Sequence, residues 1–310
     1  MLNLYAVKKN LPQVITAKTA GFCFGVQRAV DEAYDEARKA REGHSATYTF
    51  GPIIHNEIVV EDLRRKGVGV IDDEKELQGH EKDTVVIRSH GVSRELQTKI
   101  SASAGRTVDA TCTFVKRIHQ IVEEAGKRGE QVVIIGNHGH AESEAHVGWA
   151  WPGAAARSAS AHFIPAVIIE TPEEAYAYDG DPAVPVCIVA QTTFNGERFD
   201  KLVAILRQRG YNTKITNTIC NATRERQSEA REIASRADVM IVIGGKSSSN
   251  TAKLYEICKR ECERTFFIQT VDDLSPDCIA GARVIGITAG ASTPKNIIEE
   301  VQSYVRRTDF

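Results

Sequence analysis

Short apolar runs rich in β-branched residues recur along this chain, and amphipathic segments of about 10 to 18 residues separate them. The runs that predict strands are TVVI (84–87), QVVII (131–135), CIVA (187–190), VMIVI (239–243) and RVIGI (283–287). Strands that are apolar at nearly every position are typical of parallel sheets covered by helices on both faces. The alternation of strands and helices therefore predicts an α/β fold with mostly parallel sheets.

The composition excludes several classes of protein and of partner. The chain has 310 residues, 42% of them hydrophobic and 26% charged, with a formal net charge of −2, as in soluble globular proteins. A nearly neutral chain offers no electrostatic basis for binding nucleic acid or a membrane surface. No apolar stretch approaches the roughly 18 residues of a spanning helix, and the first residues lack a signal-peptide core. We therefore expect a cytoplasmic enzyme.

Seven cysteines are the unusual part of the composition. An odd number in a chain without an export signal argues against a disulfide framework, and the lack of any CxxC pair argues against a zinc finger. Cys23, Cys112 and Cys220 each end a strand-like run and are followed at once by a helical pattern. The other four, which we interpret as structural, are Cys187, Cys258, Cys262 and Cys278.

The three cysteines that precede helices mark a weak internal repeat, because their intervals match the size of a small domain. The strand before Cys23 has no helix ahead of it, so we assign it to the last repeat. The chain would then close on itself as three pseudo-equivalent α/β domains around a central site. The predicted domains are 24–110, 111–218, and 1–23 joined to 219–310.

Two polar loops recur after the cysteine of each repeat. The first loops are GPIIHN (51–56), GNHGHAE (136–142) and GGKSSSN (244–250). The second loops are RSHGVS (88–93), QTTFN (191–195) and TAGAS (288–292). In parallel α/β sheets, ligands bind outside the carboxyl ends of the strands. Three such repeats would bring three cysteines and six polar loops to one centre.

The residue types in these loops indicate a chemistry. His55, His90 and His140 each lie in a polar loop, as a ring of donors around an anion would require. The loops GGKSSSN and TAGAS precede helices and can cradle an anion with backbone N–H groups and hydroxyls. Glu142 and Thr192 add a carboxylic acid and a hydroxyl, which proton delivery needs.

The three cysteines lie at helix starts, where the helix dipole and unpaired N–H groups favour the thiolate. Three thiolates suit an iron–sulfur cluster or a three-thiolate zinc site. A [4Fe–4S] cluster held by three cysteines leaves one iron open to bind a substrate oxygen. The residues therefore favour reduction of a small phosphorylated substrate. Two alternatives are a zinc hydrolase of a phosphorylated small molecule and a non-catalytic redox or oxygen sensor.

A series of motifs resembles one known family. In chain order they are AGFCFGV, GPIIHN, RSHGVS, DATC, GHAE, QTT, CNATRERQ, GGKSSSN and TAGAS. With these motifs, over about residues 15–304, the chain resembles the LytB/IspH family of 4-hydroxy-3-methylbut-2-enyl diphosphate reductases. The resemblance implies three α/β domains around a [4Fe–4S] cluster, with ferredoxin or flavodoxin as the usual electron donor. It also implies reductive removal of an allylic hydroxyl, the last step of the methylerythritol phosphate pathway to isopentenyl and dimethylallyl diphosphates.

The resemblance implies a role for each matching residue. The implied cluster ligands are Cys23, Cys112 and Cys220. The implied diphosphate pocket consists of His55, His90, His140, Ser248, Ser249, Asn250 and Ser292. Glu142 is implied as the proton relay and Thr192 as its partner near the substrate hydroxyl.

Three positions depart from the family pattern. Thr113 and Ala141 stand where the family usually has proline, and Ala145 stands where it usually has glycine. All three lie in the second predicted domain, near the proton-delivery loop. A paralogue that reduces another hydroxylated substrate is therefore a further alternative.

Overall fold

The computed structural model describes residues 12–43, 45–150 and 165–307. Every strand pairing in it is parallel, and the strands form three four-stranded sheets. The backbone separates into two compact units: Phe24–Asn221, and the described residues of 1–23 together with those of 222–310. The first unit contains two of the sheets and the second unit contains the third. These parallel sheets confirm the predicted α/β fold.

The strands are short. They are β1 (Gln13–Thr16), β2 (Thr47–Phe50), β3 (Val68–Ile71), β4 (Thr84–Ile87), β5 (Arg106–Asp109), β6 (Gln131–Ile135), β7 (Val167–Ile169), β8 (Val186–Ala190), β9 (Thr213–Ile215), β10 (Val239–Ile243), β11 (Thr265–Ile268) and β12 (Val284–Ala289). Strands β4, β6, β8 and β10 are buried at every position. Complete burial is expected for central parallel strands that are covered on both faces.

Helices connect the strands and cover the sheets. They are α1 (Phe24–Gly43), α2 (Glu57–Arg65), α3 (Arg94–Ser103), α4 (Thr113–Lys127), α5 (Ala141–Ala150), α6 (Pro172–Ala177), α7 (Gly196–Gln208), α8 (Asn221–Ala234), α9 (Ser249–Glu261), α10 (Pro276–Ile279) and α11 (Lys295–Arg307), with 3₁₀ turns at Glu74–Leu77 and Val271–Asp273. Each long helix buries one stripe, as α4 does with Val115, Ile118 and Val122. Within the described ranges, no helix is both long and apolar enough to span a membrane.

All three sheets have the same strand order. It is β3-β2-β4-β5 in the first, β7-β6-β8-β9 in the second and β11-β10-β12-β1 in the third. Strand β1 pairs with β12, with Gln13 opposite Val284, so the strand before Cys23 lies in the same sheet as β10, β11 and β12. The domains 24–110, 111–218, and 1–23 joined to 219–310 stay a prediction.

This strand order places the polar loops at functionally favourable positions. In the first sheet β3 lies on one side of β2 and β4 lies on the other, and the other two sheets repeat this arrangement. In parallel α/β sheets, ligands bind outside the carboxyl ends of the strands where the chain changes sides in this way. The six predicted loops follow β2 and β4, β6 and β8, and β10 and β12. Each sheet therefore has two of the loops on neighbouring strands.

The structure differs from the sequence prediction at several element ends. The three strands before the cysteines stop early, at Thr16, Asp109 and Ile215, because a stretch of turn or irregular backbone precedes each cysteine. Strand β12 extends into the predicted TAGAS loop, since Thr288 pairs with Val242 in the parallel ladder.

Three predicted loop residues are helical instead. Glu142 lies in the first turn of α5, and Ser249 and Asn250 begin α9. These positions give the side chains a fixed backbone, which suits binding and catalysis better than a loop does.

Candidate functional site

The same backbone hydrogen bond holds each of the three cysteines that precede helices. In each case the cysteine N–H donates to a carbonyl in the loop that follows the third strand of its sheet. The donor and acceptor pairs are Cys23 with Ala291 (3.1 Å), Cys112 with Ser89 (3.0 Å) and Cys220 with Thr192 (3.0 Å). Each acceptor is the second residue after β4, β8 or β12. The three cysteines therefore occupy equivalent positions in their sheets.

Each of these cysteines directly precedes a helix. Helices α1, α4 and α8 begin at the residues that follow Cys23, Cys112 and Cys220. The N-terminal ends of helices stabilise negative charge, so these positions favour thiolates. Gly25 approaches Cys112 so closely that a Cβ at this glycine would overlap the Sγ atom.

Two buried or half-buried arginines fix the chain ahead of two cysteines. Arg226 of α8 donates from Nε to the Thr19 carbonyl at 3.0 Å and from Nη2 to the Gly21 carbonyl at 2.8 Å. Arg28 of α1 donates to the carbonyl of Thr111, the residue before Cys112. Both arginines therefore limit the movement of a cysteine-bearing segment.

The other cysteines have different surroundings. Burial raises the pKa of Cys187 to about 11 and that of Cys258 to about 12, so both remain thiols at neutral pH. Cys262 is also buried, and Cys278 packs against the core of the sheet β11-β10-β12-β1. These positions match a structural role.

The predicted histidine ring forms within the unit Phe24–Asn221. The His55 and His90 rings stack with centroids 4.1 Å apart. The His140 ring meets both edge-on, at 5.2 Å from His55 and 5.5 Å from His90. One ring nitrogen from each residue lies within 4.8 Å of the others. Such a group of half-buried imidazoles can bind one small ligand together, either an anion or a metal ion.

Arg88 makes an anion the better ligand for the three imidazoles. Burial lowers the pKa of His55, and the positive charge of Arg88 lowers it further. Burial, followed by the neighbouring His55, His140 and Arg88, holds the pKa of His90 well below its usual value. A cation would add to this repulsion, whereas an anion would relieve it.

Arg88 itself has few partners. Its Nε donates to the Gly91 carbonyl at 3.4 Å, and its guanidinium packs against Gly51, whose φ is +66°. Among the described residues Arg88 has no ion pair. The Asp72 carboxylate acts on Arg88 through space only, and a half-buried guanidinium without an ion pair is costly unless an anion binds there. Arg88 is not among the site residues predicted from the sequence, although it lies inside the RSHGVS motif.

Glu142 and Thr192 meet in the interior of the same unit. The Thr192 N–H donates to Glu142 Oε1 at 2.6 Å, and the Thr192 hydroxyl donates to Oε2 at 2.7 Å. Glu142 is only 2% exposed. The neighbouring Glu144 is exposed and accepts a hydrogen bond from the Gly139 N–H. Of the two glutamates, only Glu142 therefore lies where the prediction requires it.

The predicted anion-binding serines and asparagine lie in the other unit. Ser248 caps α9 by accepting the Thr251 N–H, and the Ser292 hydroxyl lies 3.4 Å from the Ser248 hydroxyl. Asn250 is 4% exposed, and neither polar atom of its side chain has a hydrogen-bond partner among the described residues. An amide buried in this way is expected to bind a ligand.

A buried lysine accompanies the serine cluster. Lys253 is 4% exposed and donates to the Ser249 hydroxyl at 2.7 Å. Lys253 is not among the site residues predicted from the sequence, because it lies one helical turn beyond the GGKSSSN motif. The available indication was that Lys253 follows Ser249 by four residues, so that the two side chains lie on the same face of a helix.

The departures from the family pattern leave both helices intact. Thr113 and Ala141 are the first residues of α4 and α5. Proline suits a first helical position because its N–H is not needed there, but the structure forms the helix starts without it. Ala145 is buried within α5, where alanine favours the helix more than glycine does.

We expect Thr113→Pro to raise the free energy of unfolding by about 0.4–1 kcal/mol. The preceding residue, Cys112, already has φ −54° and ψ 138°, a conformation that a following proline permits. The measurement is the urea midpoint at unchanged m value. A midpoint at or below that of the unsubstituted chain would contradict the prediction.

Known proteins are similar to this chain over nearly its whole length. A family model described as LytB protein matches residues 14–306. A 4-hydroxy-3-methylbut-2-enyl diphosphate reductase of Caldanaerobacter subterraneus subsp. tengcongensis is 40% identical over 290 residues, 93% of this chain and 95% of that protein. The protein of the same name from Aquifex aeolicus is 39% identical over 293 residues, 94% and 96% of the two chains.

Solved structures are also similar. The structure of an (E)-4-hydroxy-3-methyl-but-2-enyl diphosphate reductase, described as the terminal enzyme of the non-mevalonate pathway, is 37% identical with a TM-score of 0.65. The match covers 96% of this chain and 100% of that one. The structure of the E-1-hydroxy-2-methyl-but-2-enyl-4-diphosphate reductase from Plasmodium falciparum has a TM-score of 0.82. It is 24% identical, with 95% and 87% covered, and it supports the fold alone.

Proposed function

The chain belongs to the LytB protein family, and on that premise we propose that it reduces 4-hydroxy-3-methylbut-2-enyl diphosphate. It is an oxidoreductase of the non-mevalonate route to isoprenoids. In the reaction the allylic C–O bond breaks, two electrons and two protons enter, and water leaves. The products are isopentenyl and dimethylallyl diphosphates. The observation that carries the proposal is the equivalent hydrogen bond at the three cysteines.

Three thiolates are proposed to hold a [4Fe–4S] cluster. The proposed ligands are Cys23, Cys112 and Cys220. Their positions at helix starts support thiolate character, and the absence of a side chain on Gly25 leaves room beside the Cys112 sulfur. Soft thiolate ligands suit iron–sulfur clusters. When bound, the cluster supplies the electrons for the reduction.

The two groups of polar residues are proposed to bind the diphosphate. They are His55, His90, His140, Ser248, Ser249, Asn250 and Ser292. The unpartnered amide of Asn250 supports this role, as does the positive charge of Arg88 beside the imidazoles. The Glu142 N–H donates to His140 Nδ1 at 3.2 Å. In neutral His140 this bond places the proton on Nε2, and an N–H at Nε2 can donate to an anion.

Glu142 is proposed as the proton relay and Thr192 as its partner. An ionised carboxylate only accepts hydrogen bonds, so the Thr192 hydroxyl donates to Glu142 Oε2 as long as Glu142 is ionised. When Glu142 takes up a proton, this hydrogen bond can reverse its direction. Thr192 can then donate its own proton to the hydroxyl that leaves the substrate.

The electrons are proposed to come from a small carrier protein such as ferredoxin or flavodoxin. Reduced carriers of this kind and thiolate-bound clusters belong to reducing compartments. We therefore propose a cytoplasmic location for the enzyme.

The test is anaerobic purification followed by an assay with the authentic diphosphate and a reduced donor. We expect a brown protein with about four iron and four sulfide per chain, and turnover that depends on the donor. A colourless protein with one tightly bound zinc would refute the proposal and favour a hydrolase. An intact cluster that reduces only another hydroxylated substrate would indicate a paralogue, and a cluster without turnover would indicate a sensor.

A further inference from the structure

Two buried histidines lie behind Glu142 and have no role in the proposed function. His146 follows Glu142 by one turn of α5, and its Nε2 lies 3.3 Å from Glu142 Oε1. His146 is completely buried, and His119 of α4 is 5% exposed. The two histidine rings meet edge-on with centroids 5.2 Å apart. Glu142 therefore has a titratable neighbour on the side away from its bond to Thr192 Oγ.

Packing between α4 and α5 fixes the position of His146. Trp149 stacks on the His119 ring at 4.9 Å, and its indole N–H donates to the Val92 carbonyl at 2.8 Å. His146 Nδ1 has no hydrogen-bond partner among the described residues. Its Nε2 therefore makes its one hydrogen bond, and that bond goes to Glu142.

His146 offsets the unfavourable burial of the Glu142 carboxylate. Burial raises the pKa of Glu142, but the hydrogen bond and charge of His146, the charge of His140 and the Thr192 N–H lower it to about 2 overall. A buried carboxylate without a cationic partner would be strongly destabilising. With one proton between His146 Nε2 and Glu142 Oε1, the pair as a whole is neutral.

The other charged groups around the pair do not supply this proton. Burial and the neighbouring His146 lower the pKa of His119 to about 3, so His119 is neutral. Lys116 pairs with Asp109 at 2.7 Å. The remaining neighbours are His140, which precedes α5, His55, on which the charge of Glu142 acts, and Arg94 of α3, which pairs with Glu123. His146 is the titratable group bonded to Glu142 from behind.

We infer that His146 is a positioning residue for Glu142: it holds Oε1 in place and stores the proton that Glu142 delivers. This inference rests on the proposed role of Glu142 in the reductase. The proton moves from His146 Nε2 to Glu142 Oε1, which leaves a neutral imidazole and a neutral carboxylic acid. A half-turn of the carboxyl group then brings its O–H to the Thr192 hydroxyl, which the other carboxyl oxygen contacts before the turn. The carboxyl then passes one proton through Thr192 to the departing hydroxyl, which leaves as water. Solvent returns a proton to the pair after product release.

The test reads the ionisation of Glu142 directly in the cluster-loaded protein without substrate. Infrared spectra recorded against pH give its titration midpoint, and the Glu142→Gln protein identifies its band by subtraction. In His146→Leu we expect the Glu142 midpoint to rise by about 1 to 3 pH units, because fewer groups then stabilise the buried carboxylate. We also expect kcat to fall by about 100-fold, with KM for the diphosphate within about two-fold.

A second variant at His146 and a control variant complete the test. His146→Gln keeps an N–H donor but cannot store a proton. We therefore expect its Glu142 midpoint to lie between those of the unsubstituted protein and His146→Leu, and its kcat to be reduced. His138→Leu is the matched control, because His138 is exposed and bonds Glu174; we expect it to change neither quantity.

An unmoved Glu142 midpoint in folded His146→Leu overturns the inference. If that variant does not fold, a His146→Gln protein with the unsubstituted kcat and pH profile overturns it instead. Failure of the reductase assay is distinguishable, because the infrared midpoint is read without substrate and without turnover.

Discussion

Cys112→Ser is expected to remove the iron–sulfur cluster, so that iron and sulfide fall from about four per chain to near zero and turnover falls to background. Serine offers a hard oxygen that remains protonated at neutral pH, whereas the iron of such clusters requires thiolate. Each proposed ligand follows an edge strand of a different sheet, and the other four cysteines lie in structural positions. No second cysteine in the same loop can therefore replace Cys112.

The measurements for this prediction are iron and sulfide content and the visible absorption of anaerobically reconstituted protein. Cys278→Ser is the matched control, because this cysteine is half-buried within α10 and lies outside the proposed ligand set. Circular dichroism checks that both proteins fold. A full cluster in Cys112→Ser, or its loss in Cys278→Ser, would contradict the proposed ligands.

The sheets could be predicted because each central strand carries its own signal. Strands such as TVVI at 84–87 and VMIVI at 239–243 are apolar at every position, and the structure buries every residue of both. Parallel strands need covered faces and crossover helices, so the alternating pattern left few other folds. The three repeated cysteine positions then indicated that β1 belongs with β10, β11 and β12.

Element ends could not be predicted as well, because tertiary contacts determine them. The TAGAS motif reads as a loop, but Thr288 and Ala289 continue β12 because β10 offers matching partners. Glu142 reads as part of a loop, but α5 begins one residue earlier. The end of β12 follows from hydrogen bonds between segments that are distant in sequence, and at the start of α5 the Glu142 side chain is bonded by Thr192, 50 residues away.

Two residues that change the pKa values of site residues could not be predicted, for a related reason. Arg88 is one residue of the RSHGVS motif that the sequence does not single out, and His146 lies outside the motifs. The roles of both depend on which side chains lie beside them in the fold. Arg88 affects His55 through space, although the two residues follow different strands. A single sequence identifies residues that contact a ligand more readily than residues that act through a neighbour.

Glu142→Gln is expected to lower kcat by about 10²- to 10⁴-fold while the cluster stays intact and KM for the diphosphate stays within about two-fold. The glutamine side chain has the same shape and keeps an oxygen that can accept the Thr192 N–H, but it cannot carry a proton. The loss should therefore fall on the chemical step. The measurement is steady-state turnover with a reduced donor, together with iron content and circular dichroism.

Glu144→Gln is the matched control for this prediction, because it changes an exposed glutamate on the same turn of α5. We expect it to retain full turnover. Near-normal kcat in Glu142→Gln would refute the proton relay, and loss of activity in Glu144→Gln instead would transfer the role to that residue. The burial of Glu142 and its two hydrogen bonds from Thr192 at 2.6 and 2.7 Å favour Glu142 over Glu144 as the proposed proton relay.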